Sequence, residues 1–102
     1  MRIELTNKYE PLNLLEEQES HISSAEKMQN ALNGNDCFGF YLMDGTEKVG
    51  FALVRRWGEG RFFLWNFLVD CRYQGQGKGR VFLGLLMDAL KNLYDARVVI
   101  TT

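Results

Sequence analysis

Proline is nearly absent from this chain: Pro11 is the only one in 102 residues. Cysteine and histidine are scarce as well, with Cys37, Cys71 and His21 accounting for all of them. Two cysteines without C-x-x-C spacing and one histidine leave no ligand set for structural zinc, so no metal is expected. They do not make a disulfide scaffold either. Cys37 in an apolar run and Cys71 in a loop read as free thiols of a cytoplasmic protein, a disulfide being the alternative. An excess of charge of one sign is missing too. Twelve basic against 13 acidic residues give a net charge of −1, which is no electrostatic footprint for nucleic acid or an anionic membrane. No apolar run approaches the roughly 20 residues of a membrane span. The start, Met1 to Thr6, lacks the pattern of a signal peptide. With no repeat, linker or low-complexity tract, 1–102 reads as a single domain.

Glycine is present in quantity, and Gly75, Gly77 and Gly79 fall together. They separate an apolar run, Phe62 to Val69, from a run of helical period, and cations stand nearby at Arg72, Lys78 and Arg80. A helix's first turn has no intrahelical acceptors for its N–H groups, and the helix dipole adds positive charge there. Without side chains in the way, an anion can approach the backbone. The result is a cradle whose usual occupant is phosphate. Spacing excludes two such ligands. The dinucleotide pattern G-x-G-x-x-G needs a third glycine where Arg80 or Phe82 stands, and the Walker pattern needs its second glycine at Arg80. What remains is Gln74-Gly75-Gln76-Gly77-Lys78-Gly79, that is Q-x-x-G-x-G.

Around this loop the pattern predicts an α/β chain. Arg2 to Leu5 alternates as a strand. Asn7 to Gln18, with Tyr9, Leu12 and Leu15 three apart, predicts a helix with Pro11 in its first turn. Ser23 and Glu26 fit a capping box opening a second helix through Ala25, Met28 and Leu32 to a stop at Asn33-Gly34. Strands are expected over 37–43, 49–57 and 62–69. Turn signals at Asp44-Gly45 and Gly58-Glu59-Gly60 make these an antiparallel meander. A helix over 79–94 presents Phe82, Leu85, Leu86, Ala89, Leu90 and Leu93 as one apolar face. Gly84 within it costs about 1 kcal/mol against alanine, and close packing on the sheet is the expected reason. The last strand, 97–102, should lie parallel to 62–69 across the crossover.

The loop, the preceding Val69-Asp70, Tyr73-Gln74-Gly75 and the Leu-rich helix after it together resemble the coenzyme A loop of the GNAT family of acetyltransferases. Glu16-Glu17-Gln18, Ser23 to Glu26 and Phe63 to Asp70 are similar to bacterial spermidine and diamine acetyltransferases. The resemblance implies the mixed-sheet acetyl-CoA N-acyltransferase fold, with the usual last helix and two strands missing after Thr102. It implies acetyl-CoA as co-substrate, bound by backbone at Phe67, Leu68 and Val69 and by the amides of Gln74, Gly75, Gln76, Gly77, Lys78, Gly79 and Arg80. A small-molecule amine, a polyamine or diamine, is the implied acceptor. The proline usual at position 71 of the motif is Cys71 here, which loosens the turn.

For a polyamine acceptor, acidic residues are the physical requirement, and Glu16, Glu17, Glu19 and Glu26 are the candidates. A solvated helix face is the other reading of them, and the one favoured. Arg72, Lys78 and Arg80 either add charge near the phosphates or form a solvated rim. Asn66, the one catalytic candidate, either faces the thioester or bridges strands. His21 is a base only if it is not simply exposed. The tyrosine that the family uses to protonate the coenzyme thiolate has no counterpart among Tyr41, Tyr73 and Tyr94, so the general acid is unassigned. Two readings follow: an amine N-acetyltransferase, and a silent coenzyme A-binding or assembly module. The chain is then a fragment, a naturally short protein, or one that completes its sheet as a homodimer.

Overall fold

The computed structural model describes residues 1–101, so Thr102, the end of the last predicted strand, lies outside the described residues. Five strands, β1 (Arg2–Thr6), β2 (Cys37–Asp44), β3 (Glu47–Gly58), β4 (Arg61–Val69) and β5 (Val98–Thr101), form one sheet in chain order. The first four are antiparallel neighbours, and β4 and β5 are parallel. The meander and the crossover are therefore as the turn signals and the intervening helix predict. No described helix is long and apolar enough to cross a membrane.

Helix α1 (Glu16–Glu19) and helix α2 (Ala25–Leu32) precede β2, and helix α3 (Lys78–Tyr94) lies between β4 and β5. Strand side chains alternate between faces, and both faces of this sheet are covered. Phe40, Leu42, Ala52, Val54 and Phe62 pack with Phe82, Leu86 and Leu90 of α3. Tyr41, Phe51, Leu53 and Leu68 pack with Tyr9, Met28 and Leu32 on the opposite face. Double coverage is why the central strands read as nearly continuous apolar runs.

Phe82 fastens α3 to the sheet near the end of β4. Its ring stacks on Phe67 with centroids 4.9 Å apart. A Cβ added at Gly50 would stand 2.9 Å from that ring and 2.8 Å from the Leu68 carbonyl oxygen, so β3 needs glycine here for close approach.

The glycine inside α3 is a different case. Gly84 is exposed, and a Cβ built on it meets nothing within 4 Å. The expected packing reason is thus corrected: Gly84 lies on the solvent side. Gly84→Ala should raise stability by about 1 kcal/mol, through helix propensity alone. A urea midpoint that does not move would contradict this. Leu93, expected on the apolar face, is 64% exposed, while the sheet contact of α3 continues past it through Tyr94, whose ring centroid lies 4.6 Å from that of Phe38.

The predicted helix over Asn7–Gln18 does not form; only Glu16–Glu19 is helical. Backbone N–H groups must find partners, and in this segment distant side chains provide them. Tyr9 N donates to Gln29 Oε1 (2.8 Å), Glu10 N to the Tyr41 hydroxyl (2.6 Å) and Asn13 N to Asp70 Oδ2 (3.1 Å). Those contacts hold an extended strap across the sheet, and Tyr9 and Leu12 pack beneath it. The start of α2 also shifts. Ser24, not Ser23, caps it, accepting from Lys27 N at 3.2 Å.

Candidate active site

A slip in the β3–β4 register shapes the site. Leu53 pairs with Asn66 and Val54 with Leu64, which leaves Trp65 as an unpaired bulge. The pairing of β4 with β5 runs only from Arg61 to Leu64 among the described residues. From the bulge to Val69, the edge of β4 away from β3 faces an open groove.

Strand alternation decides which backbone groups face that groove. Asp70 N donates to Val49 O of β3 at 2.7 Å, and the Leu68 carbonyl also points at β3. The backbone groups of Phe67 and Val69 therefore point away from β3. Consistent with this, Val69 O accepts from Gln18 Nε2 of α1 at 3.0 Å and from Gln74 Nε2 at 3.3 Å. The triplet expected from the sequence divides: Phe67 and Val69 offer backbone to the groove, while Leu68 borders it with a buried side chain.

Past β4 the chain makes a 3-10 turn over Cys71–Tyr73, passes Gly75 and Gly77, and enters α3. Gly75 (φ 75°) and Gly77 (φ 74°) are left-handed, a conformation that strains residues bearing a Cβ. The first intrahelical bond is Val81 N to Gly77 O, and Gly77 has no side chain to cap the turn. Among the described residues, no backbone N–H from Gln74 to Arg80 has an intramolecular acceptor. No side chain meets a Cβ built at Gly75 or Gly77, and at Gly79 only Val69 comes as near as 3.7 Å. The result is a row of donors at a helix N-terminus with space above them, which fits a pyrophosphate.

This loop borders a cavity of about 360 Å³, and a second of about 470 Å³ lies along β4 past the bulge. Both are bordered by Gln18, Phe67 and Leu68, so they run end to end as one groove. Glu17, His21, Trp65 and Asn66 line its far half.

The remaining predicted residues divide as follows. Asn66 is buried and bridges to the turn before α2 rather than between strands: its Oδ1 accepts from Ser23 N (2.9 Å) and its Nδ2 donates to Ser23 Oγ (3.2 Å). Of the four glutamates only Glu17 lines the groove. Glu19 borders a separate cavity beside α2, and Glu16 and Glu26 border neither, so the acidic cluster does not converge. Lys78 Nζ lies 3.8 Å from Asp44 Oδ2. Arg72 is corrected from its phosphate role, because its guanidinium is committed to Asp70. Tyr41, holding Glu10 N and Lys8 O, is committed as well.

Asp70 is the residue that the sequence reading passed over. Its carboxylate is fully buried. It accepts from Arg72 N (3.0 Å), Arg72 Nε (3.0 Å), Arg72 Nη2 (3.1 Å), Asn13 N (3.1 Å) and Asn13 Nδ2 (3.2 Å). Burial alone would push this carboxyl upward, but the Arg72 and Asn13 donors outweigh it and hold it at about 2. A carboxyl with a depressed folded-state value stabilises the fold above its unfolded value and stops doing so as pH falls through the folded one. Asp70 should therefore contribute about 2 kcal/mol near neutral pH, lost between about pH 4 and pH 2. Urea unfolding across that window should be less pH-dependent in Asp70→Asn. An identical slope would contradict the assignment.

The site thus consists of a mixed sheet, a bulged strand that parts from its parallel neighbour, and a donor row at the following helix. The sequence profile of the acetyltransferase (GNAT) family matches residues 3–102, and the chain belongs to that family. No curated protein sequence matches it significantly. Among solved structures, a GNAT family acetyltransferase from Elizabethkingia anophelis with acetyl-CoA bound is similar. Its TM-score is 0.71 and its identity 16%, over 98% of this chain and 64% of that one. An aminoglycoside acetyltransferase from an uncultured soil metagenomic sample, in complex with sisomicin, has TM-score 0.59 and 20% identity, over 79% and 56% of the two chains. The IAA acetyltransferase from Bacillus cereus has TM-score 0.58 and 16% identity, over 69% and 45%. The chain thus spans less than two thirds of the length of each of these proteins.

Proposed function

We propose that this chain binds acetyl-CoA along the β4 groove and transfers the acetyl group to a small cationic amine. The observation that carries the reading is the run of unpartnered N–H groups from Gln74 to Arg80 at one end of that groove. Bound acetyl-CoA supplies the acetyl group as an activated thioester. The loop amides hold its pyrophosphate, and the backbone of Phe67 and Val69 positions its pantetheine arm. Preorganised backbone donors also stabilise developing negative charge without reorganising.

At the far half, Trp65 offers an aromatic face and Glu17 a carboxylate, both of which attract an ammonium group. His21 lines the same space, but it is exposed and so is given no role as base. The polyamine or diamine acceptor rests on this pair, Glu17 and Trp65. The aminoglycoside named for one fold neighbour is also a polycation, but a likeness at 20% identity carries the fold alone.

The test is thermal unfolding with saturating ligands, followed by thiol release with spermidine and a neutral amine. Coenzyme A at 100 times its dissociation constant should add about 2.7 kcal/mol, a shift of about 10 °C or more in a domain this small. ATP and NAD should add far less. A shift with ATP or NAD but none with coenzyme A would contradict the reading. Glu17→Gln should raise the spermidine KM and flatten its salt dependence; equal responses of spermidine and the neutral amine would remove the cationic acceptor.

A second reading, coenzyme A binding without turnover, is favoured by one observation: among the described residues no tyrosine lines the acceptor half of the groove. Binding with no thiol release for any amine would select it. Homodimer formation is a separate proposal. It uses the outer edge of β5, which pairs only with β4 among the described residues. Light scattering at micromolar concentration should give twice the chain mass, and a clean monomer would contradict it.

A further inference from the structure

The three bonds that tie the strap to the end of β4 converge on a short stretch of chain. Asn13 gives both its backbone and side-chain N–H to Asp70, and Cys71 N donates to Asn13 O at 2.7 Å. Gln18 reaches Val69 O. On the other side, Asp70 grips Arg72 through both its backbone and its guanidinium, and Tyr73 N donates to Asp70 O at 2.9 Å. Arg72 O then accepts from Gln76 Nε2 at 3.4 Å, within the glycine loop. A buried carboxylate with five donors thus contacts both the strap and the root of the loop. Cys71 matters here because a proline at this position would lack the N–H that Asn13 accepts.

We propose that Asp70 is a positioning residue: by gripping Arg72 on one side and Asn13 of the strap on the other, it holds the 74–80 amides in their anion-receiving arrangement. It touches neither coenzyme nor acceptor. A buried ionic group stripped of a partner leaves the others uncompensated, so neutralising Asp70 releases Arg72 and with it the root of the loop. Backbone donors bind an anion well only while their supporting contacts hold them converged. This rests on the coenzyme A reading of the loop.

The experiment is an NMR titration of the whole chain, wild type, Asp70→Asn and Asn13→Ala, with two ligands. Coenzyme A carries the pyrophosphate; S-acetylpantetheine carries only the arm and the thioester. In folded Asp70→Asn, coenzyme A affinity should fall by about tenfold while S-acetylpantetheine changes by less than about twofold. Asn13→Ala, which leaves the Asp70–Arg72 pair intact, should show the same split at about threefold. If Asp70→Asn does not fold, Asn13→Ala decides on the same terms. Unchanged coenzyme A affinity overturns the proposal. So do equal losses for both ligands, since a merely structural role would move both. Wild type that binds S-acetylpantetheine but not coenzyme A refutes the loop reading itself, a result distinct from either of these.

Discussion

Gly77→Val is expected to lower coenzyme A affinity by at least about tenfold, or about 1.4 kcal/mol of binding free energy. Gly77 caps α3 in the left-handed region, with open space where a side chain would stand. A valine there fills the position of the anion and pushes the backbone out of the conformation that aims the donors. It will also cost stability, about 1–2 kcal/mol for a residue with a Cβ in the left-handed region. A control separates the two effects. Gly45 in the β2–β3 turn has φ 61° and equally open surroundings. Gly45→Val carries similar strain without touching the loop. Calorimetric titration should show the affinity loss in Gly77→Val alone. Equal losses in both variants, or none in either, would mean that the loop is not the cradle.

Phe82→Ala is expected to cost about 3–5 kcal/mol of stability. The ring is fully buried between Phe67 and Gly50, and it joins the second turn of α3 to two strands at once. Domain stabilities are typically about 5–15 kcal/mol, so this single change consumes much of the total. Urea unfolding should show a large drop in midpoint with little change in slope. A loss under about 1 kcal/mol would show that α3 is not anchored there. Because Phe82 lies just after the donor row, surviving folded protein should also bind coenzyme A less tightly.

The parts of the fold that the sequence made legible are those whose cause is local. The turns at Gly45 and Gly58–Gly60 and the four-residue spacing of Phe82, Leu86 and Leu90 lie within a few positions of what they determine. The loop belongs with them, since glycines at 75 and 77 and the helix after them act on adjacent residues. What stayed hidden depends on partners far along the chain. The Asn7–Leu15 strap takes its hydrogen bonds from Gln29, Tyr41 and Asp70, and no spacing rule connects those positions. The bulge at Trp65 was invisible because Phe62 to Val69 is nearly all apolar in sequence, which leaves no alternation of residue type for a slip to interrupt. Gly84 and Gly50 show the same limit. Both are glycines inside regular elements, yet only Gly50 has a neighbour at its Cα, and that neighbour, Phe82, is on another element. In the site, the Arg72 partner of Asp70 is only two positions on, but its burial and its Asn13 donors, 57 positions away, left no mark in the sequence. Trp65 was legible only as another apolar strand residue, and His21 only as a lone polar one.

The central claim is that the backbone from Gln74 to Arg80 receives the pyrophosphate of coenzyme A. Amide chemical shifts in a titration with coenzyme A test it most directly, because the proposed contacts are made by the N–H groups themselves. The account predicts saturable shifts at Gln74 through Arg80, with further shifts at Phe67 and Val69, and small changes at Gly45 and along β1. Saturable binding that leaves the 74–80 amides unmoved, with its shifts elsewhere on the sheet, would contradict it.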